Sequence, residues 1–330
     1  SMRLGQSSLV YVLSRIISSI FGFFATIYLT RLLGESVYGY FTITLALVSW
    51  LSLVKDIGFG QAIIKRMSEG EEPDTYLTAG TIIQGILLFP LIAGILIFQP
   101  QVNEYVGQPV AEFIAILLII SILKGIVNNS LNGTHRVHLS AVFGTASDLI
   151  QSVCMVALVF LGWGLTGMLS GYALGIIIIS IIGILIVQPS PERPSQEHFV
   201  RLWDYAKFSW IGSVQGKTFH KADILILGLF VSAGLTGIYA VTYTLATFLE
   251  IFGNAINNVL FPEMSKQSAE NKTEKISSLT NDALTFSGIL LIPGAVGAAV
   301  LGNRLLGVYG DGFQRGHWIL VILLIALFIY

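Results

Sequence analysis

Residues 164–187 read GLTGMLSGYALGIIIISIIGILIV, and none of these side chains carries a charge. A helix must supply about 20 mostly apolar residues to cross the hydrocarbon core of a bilayer. This run is long enough, since it extends without a charge from Gly164 to Val187. It therefore predicts a transmembrane helix.

Nine further apolar runs accompany it along the chain. They lie at 8–32, 37–58, 76–98, 110–131, 139–160, 207–230, 235–261, 282–302 and 318–330. Short polar or Gly/Pro-containing stretches separate them. We therefore predict an all-α polytopic membrane protein with about ten spanning helices. The last run ends at Tyr330 without a polar flank, so we expect the natural protein to be longer.

The composition argues against soluble proteins. Of the 330 residues, 11% are charged and 54% are hydrophobic, whereas about 25% of an ordinary soluble domain is charged. A soluble globule of this length could not keep so much apolar surface away from water. A soluble enzyme, a disordered scaffold and a nucleic-acid binder are therefore poor fits, and the net charge of −1 argues further against a polyanionic partner.

The distribution of Lys and Arg among the loops predicts the orientation. With the N-terminus inside, the inner loops carry Lys65, Arg66, Arg136, Arg193, Arg201, Lys207, Lys266, Lys272 and Lys275. The outer loops carry Arg31, Arg304 and Arg315. Basic residues accumulate on the cytoplasmic side of membrane proteins. We therefore predict a cytoplasmic N-terminus and a location in the cell (plasma or inner) membrane.

The longest predicted inner connection, residues 188–206, divides the chain. Residues 1–187 would form an N-terminal six-helix bundle, and residues 207–330 would form about four helices of a second, incomplete bundle. Within the connection, Phe199, Leu202, Trp203 and Ala206 have helical spacing. That spacing fits either a helix in the membrane interface or an ordinary linker.

An internal repeat relates the two bundles. Val37–Phe41 (VYGYF) aligns with Leu235–Tyr239 (LTGIY) after a shift of 198 positions, the difference between 235 and 37. The same shift places Asp56 on Asn254. Because six helices are an even number, both copies would start on the same side, related by an axis along the membrane normal. We therefore predict two pseudo-symmetric bundles around a central cavity.

Polar side chains recur at three- and four-residue spacing on predicted helices one, four, five, seven and eight, which places them on one face of each helix. An ionisable residue at the bilayer centre costs roughly 2.5–3.5 kcal/mol on insertion scales, so it usually faces a protein interior or a wet cavity. The predicted cavity residues are Arg15, Lys124, Lys217, His220, Lys221, Asn254 and Asn257. Their positive charge favours a phosphate-bearing substrate.

Four acidic residues accompany the basic ones: Asp56, Asp148, Asp223 and Glu250. We assign them structural, gating or ion-coupling roles. The alternative is that the charges neutralise one another in pairs, namely Lys55 with Asp56, Lys221 with Asp223, and Arg15 or Lys124 with Asp148 or Glu250. Lys55 lies near a helix end, so we expect it to extend towards water.

Several kinds of chemistry lack a signature in this sequence. It contains no G-x-x-x-x-G-K-[ST] loop, no His/Cys cluster with metal-ligand spacing, and no Ser-His-Asp or Cys-His ordering in a loop. Cys154 is the one cysteine, so the chain can form no internal disulfide. We therefore predict no enzyme activity, no metal site and no cofactor apart from a coupling Na⁺ or H⁺.

Three stretches resemble a known family. Residues 31–41, RLLGESVYGYF, and residues 56–66, DIGFGQAIIKR, are similar to the R-x-L-G-x-x-x-Y-G-x-F turn and the D-x-G-x-x-x-A-x-x-[KR] helix end of Wzx-like polysaccharide flippases. Residues 223–228, DILILG, followed by Gly237-Ile238-Tyr239, resemble that family's D-x-x-x-L-G…G-x-Y signature. These flippases belong to the multidrug/oligosaccharidyl-lipid/polysaccharide (MATE-like) exporter superfamily.

The resemblance implies two six-helix bundles that meet in a V around a central cavity. It also implies a flippase that moves a polyprenyl-(di)phosphate-linked oligosaccharide from the cytoplasmic to the outer leaflet by alternating access, for cell-surface polysaccharide or glycoprotein glycan assembly. The implied partners are that lipid-linked oligosaccharide, membrane lipids, and glycosyltransferases or a polymerase of the same pathway.

Two alternatives stay open. A Na⁺/H⁺-coupled drug or metabolite antiporter of the same superfamily would need a membrane carboxylate, such as Asp56, Asp148 or Glu250. Against it, the polar face of helix one carries Arg15 and no acid. A membrane glycosyltransferase or ligase acting on the same lipid carrier would need acidic residues in a sizeable outer loop, and the loop near 99–109 has only Glu104.

Overall fold

The structure is a computed structural model in which most of the described residues are helical. It describes the backbone of residues 4–218, 221–247, 293–294 and 296–329, and the side chains of residues 17–209, 221–247, 293–294 and 296–326. Within these ranges there is no β-strand, and five helices are long and apolar enough to cross a membrane. The predicted all-α membrane fold is confirmed.

The first helix, α1 (Leu4–Asp56), consists of two arms joined at Gly34. Gly34 has φ 80° and ψ 173°, a conformation that glycine adopts easily and that a residue with a Cβ rarely adopts. Ile27 before this break and Tyr38 beyond it pack on the same buried cluster, so the two arms lie side by side near Gly34. The arms correspond to the first two predicted spans.

Six helices follow up to the end of the N-terminal bundle. They are α2 (Phe59–Ser68), α3 (Pro73–Ile97), α4 (Gln99–Val106), α5 (Ala111–Gly133), α6 (Val137–Phe160) and α7 (Gly164–Val187). The four long ones coincide with predicted spans three to six. Together with the two arms of α1, they make six long apolar helical segments within residues 4–187.

The two short helices, α2 and α4, lie where the sequence predicts loops. Helix α2 begins after Gly58, which has φ 79°, and buries Ala62, Ile63 and Met67 on one face. Helix α4 has a proline in its first turn and ends at Gly107, where the φ of 85° stops the helix. Neither helix is long enough to cross a bilayer, so the length of apolar runs does not predict either of them.

Helices α6 and α7 approach each other closely through glycines on α7. A Cβ added to Gly175 would lie 2.7 Å from the backbone nitrogen of Gln151, and one added to Gly171 would lie 2.5 Å from the Cα of Met155. Both distances are shorter than carbon contacts allow, so only glycine fits. In a bilayer such close backbone packing stabilises helix pairs, because burying apolar side chains gains little over contact with lipid.

The predicted uninterrupted helix 207–230 is wrong. Helix α8 (Gln196–Thr218) begins eleven residues earlier, at 196 rather than 207, and a second helix, α9 (Ala222–Phe230), follows it. Between them Lys221 has φ 69°, a left-handed conformation that interrupts the hydrogen-bond ladder of an α-helix. The break places the Lys221 backbone at the start of α9.

The first turns of α8 pack against the N-terminal bundle. Leu202 and Ala206 are at most 1% exposed and belong to a cluster with Phe59, Ile63 and Tyr76. A polar contact reinforces the packing, with His198 Nε2 2.7 Å from Glu72 Oε2. The helical spacing in residues 196–206 thus reflects a helix that docks on α2 and α3.

The chain beyond α9 is described in part. Its elements are α10 (233–247), α11 (296–307), a 3₁₀ helix (Asp311–Gly316) and α12 (His317–Ile329). Residues 248–292, which include parts of predicted spans 235–261 and 282–302, lie outside the described residues. Ile238, Leu306 and Phe313 form a buried cluster on which Ile27 and Tyr38 of α1 pack. This part of the chain therefore meets α1 near Gly34.

We expect Gly175→Ala to destabilise the protein. The added methyl group would meet the backbone of Gln151, and overpacking of this kind costs about 1–3 kcal/mol. The matched control is Gly94→Ala, because nothing lies within 4 Å of a Cβ at Gly94. Thermal unfolding in detergent, followed by size exclusion, should show a lower midpoint for Gly175→Ala alone. Equal midpoints for the two variants would contradict the assigned contact.

Candidate functional site

A cavity of about 680 Å³ lies between the second arm of α1 and helices α3, α5 and α7, at the end of the bundle near Gly58. Ligand-binding pockets typically measure about 300–1,000 Å³, so it is large enough to hold part of a sugar-bearing molecule. Its polar lining includes Ser49, Asp56, Gln84, Ser121, Lys124 and Lys221.

Helix α5 supplies one polar wall of the cavity. Ser121, Lys124, Gly125 and Asn128 all line it, and they share a helix face because residues three and four apart lie above one another. The rest of α5 is largely Ile, Leu and Ala and is buried or faces the surroundings. The pattern predicted for this helix thus corresponds to a wall of this cavity.

Lys124 and Lys221 enter the cavity from opposite parts of the chain. Lys124 lies in the N-terminal bundle, and Lys221 lies at the junction of α8 and α9. Within the described side chains, neither ammonium has a carboxylate oxygen within 4.0 Å. Neither the pair of Lys221 with Asp223 nor that of Lys124 with Asp148 is therefore in direct contact, although Asp148 is close enough to Lys124 for their charges to attract each other.

Asp148 and Asp223 have other partners. The Ser18 hydroxyl donates to Asp148 Oδ2 at 3.0 Å, which joins the first arm of α1 to α6. Asp223 Oδ1 accepts from the Ile224 backbone N–H at 2.9 Å, and its Oδ2 accepts from the Tyr239 hydroxyl. Asp223 therefore ties the first turn of α9 to α10, and neither carboxylate lines the cavity.

Asp56 lies at the cavity beside a glutamine. The Gln84 amide donates to Asp56 Oδ1 at 2.7 Å, and Gln84 is only 3% exposed. Lys55, which we expect to extend towards water, is instead 6% exposed and lines the same cavity. The end of α1 therefore brings adjacent residues of opposite charge to one polar surface.

The structure brings together only some of the predicted site residues. Lys124, Lys221 and Asp56 share the cavity. For Arg15 and Lys217 the backbone is helical, but their side chains lie outside the described residues. His220, Glu250, Asn254 and Asn257 lie outside the described residues altogether. Their roles stay predictions from sequence.

Gln84 is a cavity residue that the sequence does not single out. It is one amide within the apolar run 76–98, and that run shows no repeated polar face. One property of the sequence could have identified Gln84 as a site residue: a single amide in an apolar membrane span requires a hydrogen-bond partner inside the protein. Gln61, also at the cavity, belongs to α2, which the sequence predicts as a loop.

The opposite end of the bundle, near Gly34, is closed by contacts between the early and late parts of the chain. The Tyr105 hydroxyl donates to the Leu225 backbone carbonyl at 2.6 Å. Arg315 and Glu35 form an ion pair of 3.1 Å, and the Phe23 and Tyr309 rings meet edge to face at 5.8 Å. The cavity therefore lies towards the Gly58 end of a bundle whose Gly34 end is sealed.

The sequence matches a known protein family over most of its length. Residues 4–268 match the family described as "Polysaccharide biosynthesis protein". The chain belongs to this family. The resemblance read from residues 31–41 and 56–66 is thereby confirmed.

Two relatives come from the archaeon Haloferax volcanii. "Probable flippase AglR" is 26% identical over 310 residues, covering 93% of this chain and 65% of the relative. "Probable low-salt glycan biosynthesis flippase Agl15" is 26% identical over 327 residues, covering 98% of this chain and 68% of the relative. The chain thus spans about two thirds of the length of these relatives.

Solved membrane transporters share the fold. "Lipid II flippase MurJ, inward closed conformation" has a TM-score of 0.78 at 16% identity, covering 98% of this chain and 73% of that one. An inward-facing multidrug resistance MATE family transporter has a TM-score of 0.62 at 14% identity, covering 97% and 81%. The chain is therefore a multi-pass membrane protein with a MATE-like fold, and the names found in both comparisons are those of carriers rather than enzymes.

We expect Gln84→Leu to destabilise the protein. The substitution removes the buried Gln84 amide that donates to the Asp56 carboxylate, and a hydrogen bond to a charged group contributes about 1.5–3 kcal/mol. The control is Gln101→Leu, an exposed glutamine on α4, for which little change is expected. Thermal unfolding in detergent measures both, and a Gln84→Leu midpoint equal to wild type would show that the bond contributes nothing.

Proposed function

We propose that this chain is part of a flippase that translocates a polyprenyl-(di)phosphate-linked oligosaccharide from the cytoplasmic to the outer leaflet by alternating access. The observation that carries the proposal is the pair of cavity lysines, Lys124 and Lys221, without a carboxylate within 4.0 Å among the described side chains. The family and the flippase names of the relatives support the same function.

The charges at the cavity favour a phosphate ligand. An ammonium group surrounded by protein and lipid lacks the hydration that stabilises it in water. The cavity lining holds three lysines, Lys55, Lys124 and Lys221, and one carboxylate, Asp56. A phosphate or diphosphate oxygen would add negative charge beside the lysines through charge-assisted hydrogen bonds. Because Lys124 and Lys221 line the same cavity, we propose that both bind the phosphate group.

The neutral polar groups of the cavity suit the sugar. Asn128, Gln61 and Ser121 line the cavity beside the lysines, and amides and hydroxyls both donate to and accept from sugar hydroxyls. The apolar prenyl chain would stay in the bilayer during transport, so that no free energy is needed to move it out of lipid. Glycosyltransferases that build this glycan, or a polymerase that extends it, are the partners we propose.

The two ends of the bundle support the direction of transport. The Gly34 end is sealed by the Tyr105–Leu225 and Arg315–Glu35 contacts, and the cavity lies towards the Gly58 end. With the N-terminus in the cytoplasm, the Gly58 end also faces the cytoplasm, since the second arm of α1 leads back to that side. Substrate would therefore load from the inner leaflet and leave after the Gly34 end opens.

The orientation can be tested separately from transport. We expect a cysteine placed at exposed Arg136, in a variant without other cysteines, to react with a membrane-impermeant maleimide only after intact cells are permeabilised. A cysteine at exposed Arg31 should react in intact cells. The reverse pattern would overturn the predicted cytoplasmic N-terminus.

We expect Lys124→Gln and Lys221→Gln to lower transport about tenfold to a hundredfold each, because each removes a charge-assisted hydrogen bond worth about 1.5–3 kcal/mol. Arginine at either position should retain more activity than glutamine, since it keeps the charge. The measurement is leaflet-resolved transport of a lipid-linked oligosaccharide by the purified full-length protein in proteoliposomes. Arms with and without a Na⁺ or H⁺ gradient identify the coupling ion.

The matched control is Lys65→Gln. Lys65 is exposed, lies 3.5 Å from Glu69, and does not line the cavity. Its loss should leave transport near the wild-type rate. If both cavity variants transport normally while reconstituting at wild-type levels, the phosphate assignment is wrong. If the wild-type protein moves a cationic drug and no lipid-linked oligosaccharide, the flippase proposal itself is wrong.

A further inference from the structure

Three side chains are linked by hydrogen bonds where α8 begins. The Ser195 hydroxyl oxygen lies 2.7 Å from Nδ1 of His198, and Nε2 of the same ring lies 2.7 Å from Oε2 of Glu72. Glu72 precedes α3 and lies 126 positions before His198 in the chain, so no local sequence motif contains all three residues. We call this group the serine triad.

The hydrogen bonds define how the His198 ring is protonated. The Ser195 backbone N–H donates to Nδ1 at 3.1 Å, so Nδ1 carries no proton and accepts. The proton of the neutral ring is therefore on Nε2, which donates to Glu72, and the Ser195 hydroxyl donates to Nδ1. A hydroxyl that donates to a neutral imidazole is an activated nucleophile, because the ring can take its proton when the oxygen attacks.

The base is held in place and the nucleophile is accessible. The His198 side chain is only 12% exposed, and its ring meets that of Tyr76 edge to face at 4.9 Å. Ser195 is exposed. Gln196 and Glu197 follow it in the first turn of α8, where backbone N–H groups have no intrahelical acceptor. Such N–H groups can stabilise the negative charge that develops on a carbonyl oxygen under attack.

A purely structural role would use only part of this arrangement. Ser195 precedes α8, and His198 has the spacing of the third residue in a capping box, where Glu or Gln accepts from the backbone N–H of the cap residue. A capping box requires neither a histidine at that place nor a carboxylate behind it. Glu72 orients the ring and supplies the negative charge that stabilises it once it has accepted a proton.

We propose that Ser195 is a covalent modification site that accepts an acyl group from an acyl thioester, with His198 as the base and Glu72 as a positioning residue. The Ser195 oxygen attacks the thioester carbonyl carbon while its proton moves to Nδ1 of His198. The carbon–sulfur bond then breaks, and the leaving sulfur takes that proton and departs as a thiol. Ser195 is left as an ester, and His198 returns to its neutral form.

The charges around Ser195 favour a neutral acyl group over a phosphoryl group. The charged residues within six positions of it, together with Glu72, are three acids and two bases: Glu72, Glu192, Glu197, Arg193 and Arg201. One of the bases, Arg201, is paired with Glu197. A phosphoserine would add a charge of about −1.5 to −2 at pH 7 to this acidic surface. An ester adds no charge.

The first experiment tests whether the serine is activated. The full-length protein in detergent is treated with a fluorophosphonate dye, from which a nucleophilic serine oxygen displaces fluoride, and the labelled peptide is identified by mass spectrometry. We expect labelling at Ser195. The matched control is Ser190, an exposed serine of the same connection that has no hydrogen bond to a histidine among the described side chains. Equal labelling of the two serines would overturn the proposal.

His198→Gln separates the base from the cap. Glutamine at the third position keeps a capping box and cannot take up the proton, so we expect an unchanged thermal midpoint. The labelling rate of Ser195 should fall about a hundredfold, since a general base contributes roughly 10²–10⁴-fold. A folded His198→Gln variant that labels at the wild-type rate would show that His198 acts only as a capping residue.

The pH profile of labelling tests the role of Glu72. The other charged or titratable groups near the His198 ring lie on α2, α3, the connection and α8: Arg66, Tyr76, Glu192, Glu197 and Arg201. Labelling requires the neutral ring, so its rate should rise with pH. Glu72→Gln keeps an acceptor for Nε2 and removes a negative charge that favours the protonated ring. The half-maximal rate should therefore occur at lower pH than in the wild type, and an unshifted profile would refute the positioning role.

The second experiment identifies the transferred group. The protein is incubated with S-acetyl-N-acetylcysteamine, a small acyl thioester, and we expect one acetyl group on Ser195 in the wild type and none in His198→Gln. A parallel arm with acetyl phosphate offers both an acetyl and a phosphoryl group. A phosphoryl group on Ser195, or no acetyl group from the thioester, would overturn the acyl assignment. None of these measurements depends on transport, so they remain decisive if the flippase proposal fails.

Discussion

The cost of placing a charge in a bilayer is the constraint on which this structure depends. A spanning helix can carry an ionisable side chain only where protein or water receives it. The six long helical segments of residues 4–187 expose apolar side chains and direct Lys55, Asp56 and Lys124 to one cavity. Lys221 reaches the same cavity from a break between two helices. The electrostatics of the site are therefore a consequence of how the helices avoid exposing charge to lipid.

Much of the fold can be predicted from the sequence, because a helix that crosses a bilayer must be both long and apolar. Length and apolarity alone predict the spans that became α3, α5, α6 and α7, and the glycine in residues 31–41 marks the break in α1. The break at Lys221 is not predictable in this way, since a lysine in left-handed conformation has no composition signal. Helix α2 is not predicted from the sequence for a different reason. It is short and amphipathic, and it is stabilised by packing on α8.

The polar face of a single helix could be predicted from the sequence, whereas the pairing of charges between helices could not. The helical spacing of Ser121, Lys124 and Asn128 correctly indicates one polar face on α5. Which carboxylate meets which lysine depends on distances between helices, which spacing within a helix does not contain. Asp223 illustrates this, because it lies two residues from Lys221 yet bonds to Tyr239 on the next helix.

The single-residue connection at Gly34 also bears on how the protein enters the membrane. Between residues 16 and 54 the only charged side chains are Arg31 and Glu35, which flank the turn. No hydrophilic loop separates the two arms of α1, so a translocating machinery meets one apolar stretch too long for a single crossing. We therefore expect the two arms to enter the bilayer together as a helical hairpin. The turn that shapes the closed end of the folded protein thus also couples the membrane insertion of the two helices that it joins.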